Sequence, residues 1–474
     1  MSKILRRNSP GPEDGPGEGW RGQLTFSPDG SSAYAPGVVL VHGADLGRLP
    51  GSVLKIWELV DDDTEGTYRK LRAEDPKPDA RTTAADLRSQ GIRAQVDHMF
   101  FATAMDAAAM VGGPLYGSPL YGSPLYGSPL YGSPLYGSPL YGSPLYGSAI
   151  SIPAIQETGN RRSTAIPARR PEFPPPKDPP NGDGIRIAIV DTGFPSAGLI
   201  KATSLTGGFS DRSANSPLTD PDNPDPRGNG YLDPYAGHGI FIAGIIEQLI
   251  PGCEFEFWRV LSPQGHGSES DVVKVLNEIA KNPPHLVNLS FAGYVEAGAG
   301  GIGAMGALAN AVQSLQQKHT IIVAAAGNDR QWAPAFPAAL EGVISVAALD
   351  EWGYPAPFTN HGPWVRACAV GVNLVSFFFK DFTDKDWKFY GYQGEHFKTG
   401  WARWTGTSFA APQVVARLAM AMKRSAQAQA GAQPLAAGPA QDLAETAITS
   451  VLGSPDDKFR YPNFGTVVTA FEPS

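Results

Sequence analysis

The sequence predicts an α/β fold, a mostly parallel sheet with helices on both faces, preceded by a small α+β unit. Three observations predict it. From Ile185 onward, apolar β-branched runs alternate with helical patterns at short spacing, the texture of strands buried on both faces and connected by helices. Glycine (55) and proline (44) make up about a fifth of the 474 residues, too much for a helical bundle because both break helices. Hydrophobic residues reach 42% while charged ones are only 18%, so the chain can bury a sizeable core.

The elements follow in chain order. Residues 1–36 are rich in Gly, Pro, Asp and Ser and read as a disordered tail. Residues 37–111 read as the small unit. Val38-Val39-Leu40-Val41 is a strand, and a second apolar stretch runs from Val53 to Trp57. Thr82 to Arg88 reads as a short helix with Thr82 as its N-cap, ended by Gly91, and Ile92 to Ala104 as a strand through Met99-Phe100-Phe101. Residues 112–148 hold seven identical copies of Pro-Leu-Tyr-Gly-Ser. Five residues cannot make a supersecondary unit, so the repeat reads as a low-complexity linker. Its evenly spaced tyrosines leave a docking sequence as the second reading. Residues 149–184 are a proline-dense linker.

Residues 185–474 form the large unit. Strands are predicted over 185–190, 255–261, 286–291, 320–326 and 343–349. Helices are predicted over 241–249, 271–280, 305–317 and 409–423. In such sheets the chemistry lies at the carboxyl ends of the strands.

A net charge of −8 argues against a general nucleic-acid binder, which needs clustered Lys and Arg. Two cysteines, Cys253 and Cys368, exclude a disulfide framework and have no metal-like spacing. No apolar run is long enough to span a membrane, and no apolar segment follows the basic N-terminal residues. The expectation is a cytoplasmic protein with neither nucleic-acid nor membrane partners.

Four short stretches place polar residues at element ends. Asp191 closes a wholly apolar strand in Val190-Asp191-Thr192-Gly193, where a carboxylate must be paired or hydrogen-bonded, though the tripeptide is also a common turn. His238 stands between two glycines at the start of an apolar helix, a place that disfavours imidazolium and suits a general base. Ser408 lies where a glycine loop enters an alanine-rich helix, in Gly406-Thr407-Ser408-Phe409-Ala410-Ala411-Pro412. The helix start puts N–H groups beside its hydroxyl, where an oxyanion would form, although an N-cap serine looks the same. Asn328 follows Ala325-Ala326-Gly327 at a strand end, as a turn residue or as a side-chain donor.

Asp-Thr-Gly, Gly-His-Gly, Ala-Ala-Gly-Asn and Gly-Thr-Ser-Phe-Ala-Ala-Pro, in this order over about 220 residues, resemble the subtilisin-like serine proteases. The resemblance implies a Ser408 nucleophile, a His238 general base and an Asp191 that orients the imidazole. It implies an oxyanion hole made by Asn328 and the Ser408 backbone N–H. It also implies that Ser290, Phe291 and Ala292 form one substrate-lining strand and Gly265, His266 and Gly267 the facing one, with a peptide added between them. Ala325, Ala326 and Gly327 would wall the first specificity pocket. His266 either lines that cleft or is a surface turn histidine. No cofactor is implied.

Departures from the family pattern are Ile240 and Phe241, where Thr and His are usual, and Ala292 in place of glycine. The loop between Asp191 and His238 carries Asp211, Asp220, Asp222, Asn223, Asp225, Asn229 and Asp233, hard oxygen ligands that make residues 211–233 a candidate calcium site. Their spacing fits no EF-hand, and the prolines and glycines read first as a turn-rich loop. The aromatic stretch 377–404 reads as core or as a wall of the cleft. The end of the small unit, Ala85 to Phe101, resembles the last helix and strand of the family's inhibitory propeptides, which implies that the chain's own N-terminal unit acts as inhibitor. Three functions are open on these grounds: a self-inhibited serine endopeptidase, a dedicated maturation protease for one peptide or partner, and a non-catalytic binding module on a protease fold.

Overall fold

The computed structural model describes residues 25–27, 32–60, 67–73, 79–103, 165–167, 181–196, 198–200, 205–226, 228, 230, 232–295, 305–382, 397–430, 438–453 and 460–469. The Pro-Leu-Tyr-Gly-Ser repeats, most of the proline-rich linker, and Trp387, Tyr390 and Tyr392 of the aromatic stretch lie outside the described residues.

The β-branched runs line up as one sheet. Its nine strands run in the order Arg460–Tyr461, Gly465–Val467, Ala367–Val370, Ile344–Leu349, Ile321–Ala325, Leu286–Leu289, Arg186–Asp191, Glu254–Arg259 and Phe209–Asp211. Neighbours are parallel except for the terminal Arg460–Tyr461 pairing. Successive side chains point to opposite faces. Ile187 and Ile189 therefore enter a core with Phe241, Ile242, Val414 and Val415 of the helices His238–Leu249 and Thr407–Ala430. Ala188 and Val190 enter a second core with Val272, Leu276 and Leu308 of the helices Glu269–Lys281 and Gly306–Gln316. Burial on both faces explains why these strands read as continuous apolar runs.

Register places the motifs. Val190 lies level with Leu289, and Leu289 with Ala324, so Asp191, Ser290 and residues 326–328 emerge along one carboxyl edge. The strands Ala367–Val370, Leu374–Phe377 and Trp401–Trp404 are too short to signal themselves in sequence; the first pairs with the longer Ile344–Leu349, and the other two pair with each other. The aromatic stretch supplies core residues: Phe378, Phe379, Phe397 and Trp404 are all fully buried.

The small unit is a sheet of Ala33–His42, Trp57–Leu59, Tyr68–Ala73 and Ala94–Ala102, covered by the helix Ala80–Ser89. Three sequence expectations change here. The first strand begins at Ala33, and Thr25–Phe26 pairs with it, so structure reaches into the stretch read as tail. The helix starts at Ala80, and its cap is Asp79, whose carboxylate accepts from the N–H groups of Arg81 and Thr82. Thr82 instead donates its hydroxyl to Asp79 at 2.6 Å. The apolar stretch 53–57 splits between a short helix, Gly51–Leu54, and the strand that starts at Trp57. Within the linker, Ile166–Pro167 pairs with Trp401–Trp404, and the Gly182 N–H reaches the Pro251 carbonyl.

The small unit does not stand apart. Its strand Ala94–Ala102 pairs antiparallel with His266–Ser268 and with Phe291–Ala292 of the large unit. The Phe100 ring is fully buried, 5.4 Å from the Phe291 ring. Burial of such a side chain contributes about 1.5–3 kcal/mol.

Candidate active site

Asp191 ends its strand with a fully buried carboxylate. Oδ1 accepts from the Thr192 N–H at 2.8 Å and lies 2.8 Å from His238 Nδ1. A carboxylate on Nδ1 fixes the imidazole orientation and leaves Nε2 to face the reacting groups. His238 Nε2 is buried with no hydrogen-bond partner.

The glycines around His238 each have a reason. Gly237 has φ of +81°, a left-handed conformation that turns the loop into the helix, and a Cβ there would lie 2.6 Å from the Phe378 ring. At Gly239 a Cβ would lie 3.0 Å from the Gly193 carbonyl. The imidazole sits among aromatic rings, 5.4 Å from Trp404, 5.3 Å from Phe409 and 6.1 Å from Tyr235. Phe241, a departure from the family pattern, extends this wall by packing 4.6 Å from Phe409 and edge-on to Trp404.

Ser408 is the second residue of its helix and fully buried. Its hydroxyl donates to the Ser290 carbonyl at 3.0 Å and lies 2.8 Å from Thr103 Oγ1. Those bonds direct it toward the Ser290 strand. Asn328 is held by Thr407, whose N–H and hydroxyl donate to its Oδ1 at 3.0 and 2.8 Å. The same amide keeps Nδ2 buried and without a partner, a free donor beside the serine's helix. An unpaired buried donor costs about 1–3 kcal/mol, a cost that a developing negative charge would recover.

Residues 99–103 lie between the two strands expected to line the substrate. Met99, Phe100 and Phe101 pair with Ser268, Gly267 and His266. Ala102 and Phe101 pair with Phe291 and Ala292, and the Ala102 N–H donates to the Gly265 carbonyl at 2.7 Å. Thr103 closes the run: its N–H donates to the Ser290 carbonyl at 3.3 Å, and its own carbonyl accepts from the Ser408 N–H at 3.2 Å. Thr103 carried no signal in the sequence.

The remaining expected residues separate. His266 is half-buried with Nδ1 3.1 Å from Ser262 Oγ. Ala325 and Ala326 are fully buried, and their methyl groups pack into two different cores. Gly327, at φ of +101°, faces the Asn360 amide and the Tyr294 hydroxyl. Asp329 accepts from the Tyr294 hydroxyl at 2.6 Å; burial pushes its carboxyl up to about 6. Tyr294 and Asn360, which brace this loop through bonds to Asp329 and to the Ala326 carbonyl, could not be singled out in sequence.

The carboxylates of the 211–233 loop do not converge. Asp211 binds Ser213, Asp222 binds Thr192 and Gly237, Asp225 accepts from the Gly230 N–H, and Asp233 accepts from Gln264. Asn229 lies outside the described residues, and among the described residues no group of three or more acidic, His or Cys side chains could hold a metal ion. Both cysteines are free and buried, and burial holds the Cys368 thiol up at about 12. Among the described residues no helix is long and apolar enough to cross a membrane.

An aspartate at a strand end, with a histidine and a serine at two helix starts along one carboxyl edge, defines an α/β protein of serine-hydrolase architecture. Residues 182–461 match the model of the subtilase family, Peptidase_S8, more than half of the chain, and the chain belongs to that family. It is similar to the thermostable alkaline protease of Halalkalibacterium halodurans, 28% identical over 204 residues that cover 41% of this chain and 50% of that protein. It is also similar to subtilisin Savinase of Lederbergia lenta, 26% identical over 256 residues, 52% of this chain and 78% of that protein. The chain spans about half the length of the first of these relatives. Among solved structures it resembles a lanthipeptide protease, at 19% identity and a TM-score of 0.47, covering 62% of this chain and 87% of that one.

Proposed function

We propose that the protein is a serine endopeptidase, held in a self-inhibited form by its own N-terminal unit. One observation carries the reading: the Thr103 carbonyl accepts from the Ser408 N–H while Thr103 itself lies against Ser408 Oγ, as a substrate's scissile residue would. The buried Asp191–His238 pair and the unpartnered Asn328 Nδ2 support it.

The chemistry follows from these atoms. Ser408 Oγ leaves the Ser290 carbonyl, rotates toward His238 Nε2 and attacks the carbonyl carbon, giving its proton to that nitrogen. Asp191 stabilises the imidazolium through Nδ1. The oxyanion takes hydrogen bonds from Asn328 Nδ2 and the Ser408 N–H. His238 then protonates the leaving amine, and water hydrolyses the acyl-enzyme by the same route. In the self-inhibited chain the bond attacked is the one after Thr103. The paired strands on both sides of residues 99–103 give the segment its affinity.

The test is the intact mass of the full 50.2 kDa chain beside its Ser408→Ala variant, with fluorophosphonate labelling of both. Cleavage after Thr103 and labelling, both lost in Ser408→Ala, are expected. Neither cleavage nor labelling that depends on Ser408 would leave the non-catalytic binding module as the correct reading.

A further inference from the structure

One buried carboxylate near the triad has no part in the reaction as described. Asp222 is fully buried, 15 residues ahead of Gly237 in the chain. A single oxygen, Oδ2, accepts from the Thr192 hydroxyl and from the Gly237 N–H, each at 2.8 Å. The Thr192 hydroxyl oxygen in turn accepts from the Gly239 N–H at 3.0 Å. Thr192 directly follows Asp191, and Gly237 and Gly239 flank His238. The bonds therefore close a ring around the 2.8 Å Asp191–His238 contact.

We propose that Asp222 is the positioning residue of the triad, holding His238 in register with Asp191 by tying Thr192 to the entry of the histidine's helix. The inference rests on the peptidase reading above.

The reason lies in what the helix lacks. A helix leaves its first N–H groups without partners, and a side chain at the cap ordinarily accepts from one of them. Here the cap is Gly237, which has no side chain. Its left-handed φ and its contact with Phe378 leave no room for one. Asp222 and Thr192 supply the missing acceptors from outside the helix. The helix start that carries His238 is thereby anchored to the strand end that carries Asp191.

Asp222 itself is held firmly. Its N–H donates to the Phe194 carbonyl at 2.9 Å, and its carbonyl accepts from the Ser196 N–H at 3.3 Å. Arg259 donates to the Asp220 and Pro221 carbonyls beside it. The arrangement is costly. Asp222 Oδ1 is buried without a partner, and burial pushes the carboxyl up to about 7 against the pull of Arg259, Thr192 and Gly237. One oxygen reaching both triad loops is what that cost maintains, and the second oxygen is left buried without a partner.

The experiment uses the full chain with Asp222→Ala, Asp222→Asn and Thr192→Val. The first readout is the rate of cleavage after Thr103 by intact mass, set against thermal unfolding. The second is the far-downfield proton resonance of the His238 Nδ1–H bonded to Asp191, recorded in a Ser408→Ala background where no cleavage occurs. A displaced catalytic base costs up to about 10²-fold, so Asp222→Ala is expected to slow cleavage by about 10–100-fold and to shift or broaden the resonance. Asp222→Asn, whose amide oxygen can accept both bonds, is expected to recover most of the rate and the resonance. Thr192→Val is expected to behave like Asp222→Ala and serves if that variant does not fold. Wild-type rate and an unchanged resonance in Asp222→Ala overturn the proposal, as does an Asp222→Asn no better than Ala. If the wild type does not cleave, the peptidase reading fails, while the resonance still decides the role of Asp222.

Discussion

The same tripeptide, Gly-His-Gly, occurs at 237–239 and at 265–267, and the two copies have opposite fates. The first glycine is left-handed in both, at φ of +81° and +83°. Beyond that they diverge. His238 opens a helix, is fully buried and bonds Asp191. His266 opens a three-residue strand, is half-buried and bonds Ser262. Local sequence sets the turn in both cases; the neighbours decide what the ring does. Behind His238 lie Asp191, Asp222 and three aromatic rings, whereas His266 lies beside the N-terminal strand.

Mutation of the two histidines breaks the comparison most sharply. His238→Ala should lower the rate of cleavage after Thr103 by about 10⁶-fold, the scale of removing the histidine in subtilisin itself. Intact-mass time courses measure it, and a residual rate within tenfold of wild type would remove His238 from the mechanism. Asn328→Ala should cost about 10²–10³-fold in the same assay, the loss known for the corresponding subtilisin donor.

The two glycines come next. Alanine at either position must adopt a left-handed conformation, which costs about 1–2 kcal/mol. Contact adds to it, because a Cβ at Gly265 lies 2.2 Å from the Tyr235 ring and at Gly237 2.6 Å from Phe378. Calorimetry should show both variants destabilised. Gly237→Ala, at the entry of the histidine's helix, should also slow cleavage of the molecules that remain folded.

Proton uptake distinguishes the surroundings of the second copy. The strand paired with His266 carries Asp97, fully buried, with Lys70 Nζ at 3.8 Å. Burial pushes its carboxyl up to about 6, against the Lys70 charge and the Ser270 bonds. A folded-state value above the ordinary one means the folded form holds the proton more tightly. Stability from this group therefore grows as pH falls through about 6 and is lost as pH rises through it. Thermal unfolding of the Ser408→Ala chain should follow that trend between about pH 7 and pH 5, and Asp97→Asn should flatten it. An identical pH dependence in both chains would dismiss Asp97 as its source. The smallest effect belongs to His266→Ala, about 0.5 kcal/mol in stability and a cleavage rate within a few-fold of wild type.

Much of the large unit was legible in the sequence because double burial leaves a strong mark. The strand ending at Asp191 has no polar residue from Ile187 to Val190, and the helix after His238 has none from Gly239 to Ile246. The short strands 367–370, 374–377 and 401–404 left no such mark, since four residues carry no period and exist through their partners. Asp79 and Thr82, three residues apart, are both capping residue types, and the hydrogen bonds of the folded chain select Asp79. Asp222 was visible only as one carboxylate among several in a turn-rich loop.

By itself the sequence determined the alternation of strands and helices, and hence the carboxyl edge where Asp191, His238, Asn328 and Ser408 would lie. Hydrophobic period and turn chemistry are local properties, and they survive in one dimension. Tertiary structure alone decided which glycine-flanked histidine meets an aspartate, that Asp222 bonds Thr192 and Gly237, and that Thr103 lies against Ser408. Each depends on hydrogen bonds between residues far apart in the chain, 47 positions for Asp191–His238 and 305 for Thr103–Ser408, and no local pattern records them.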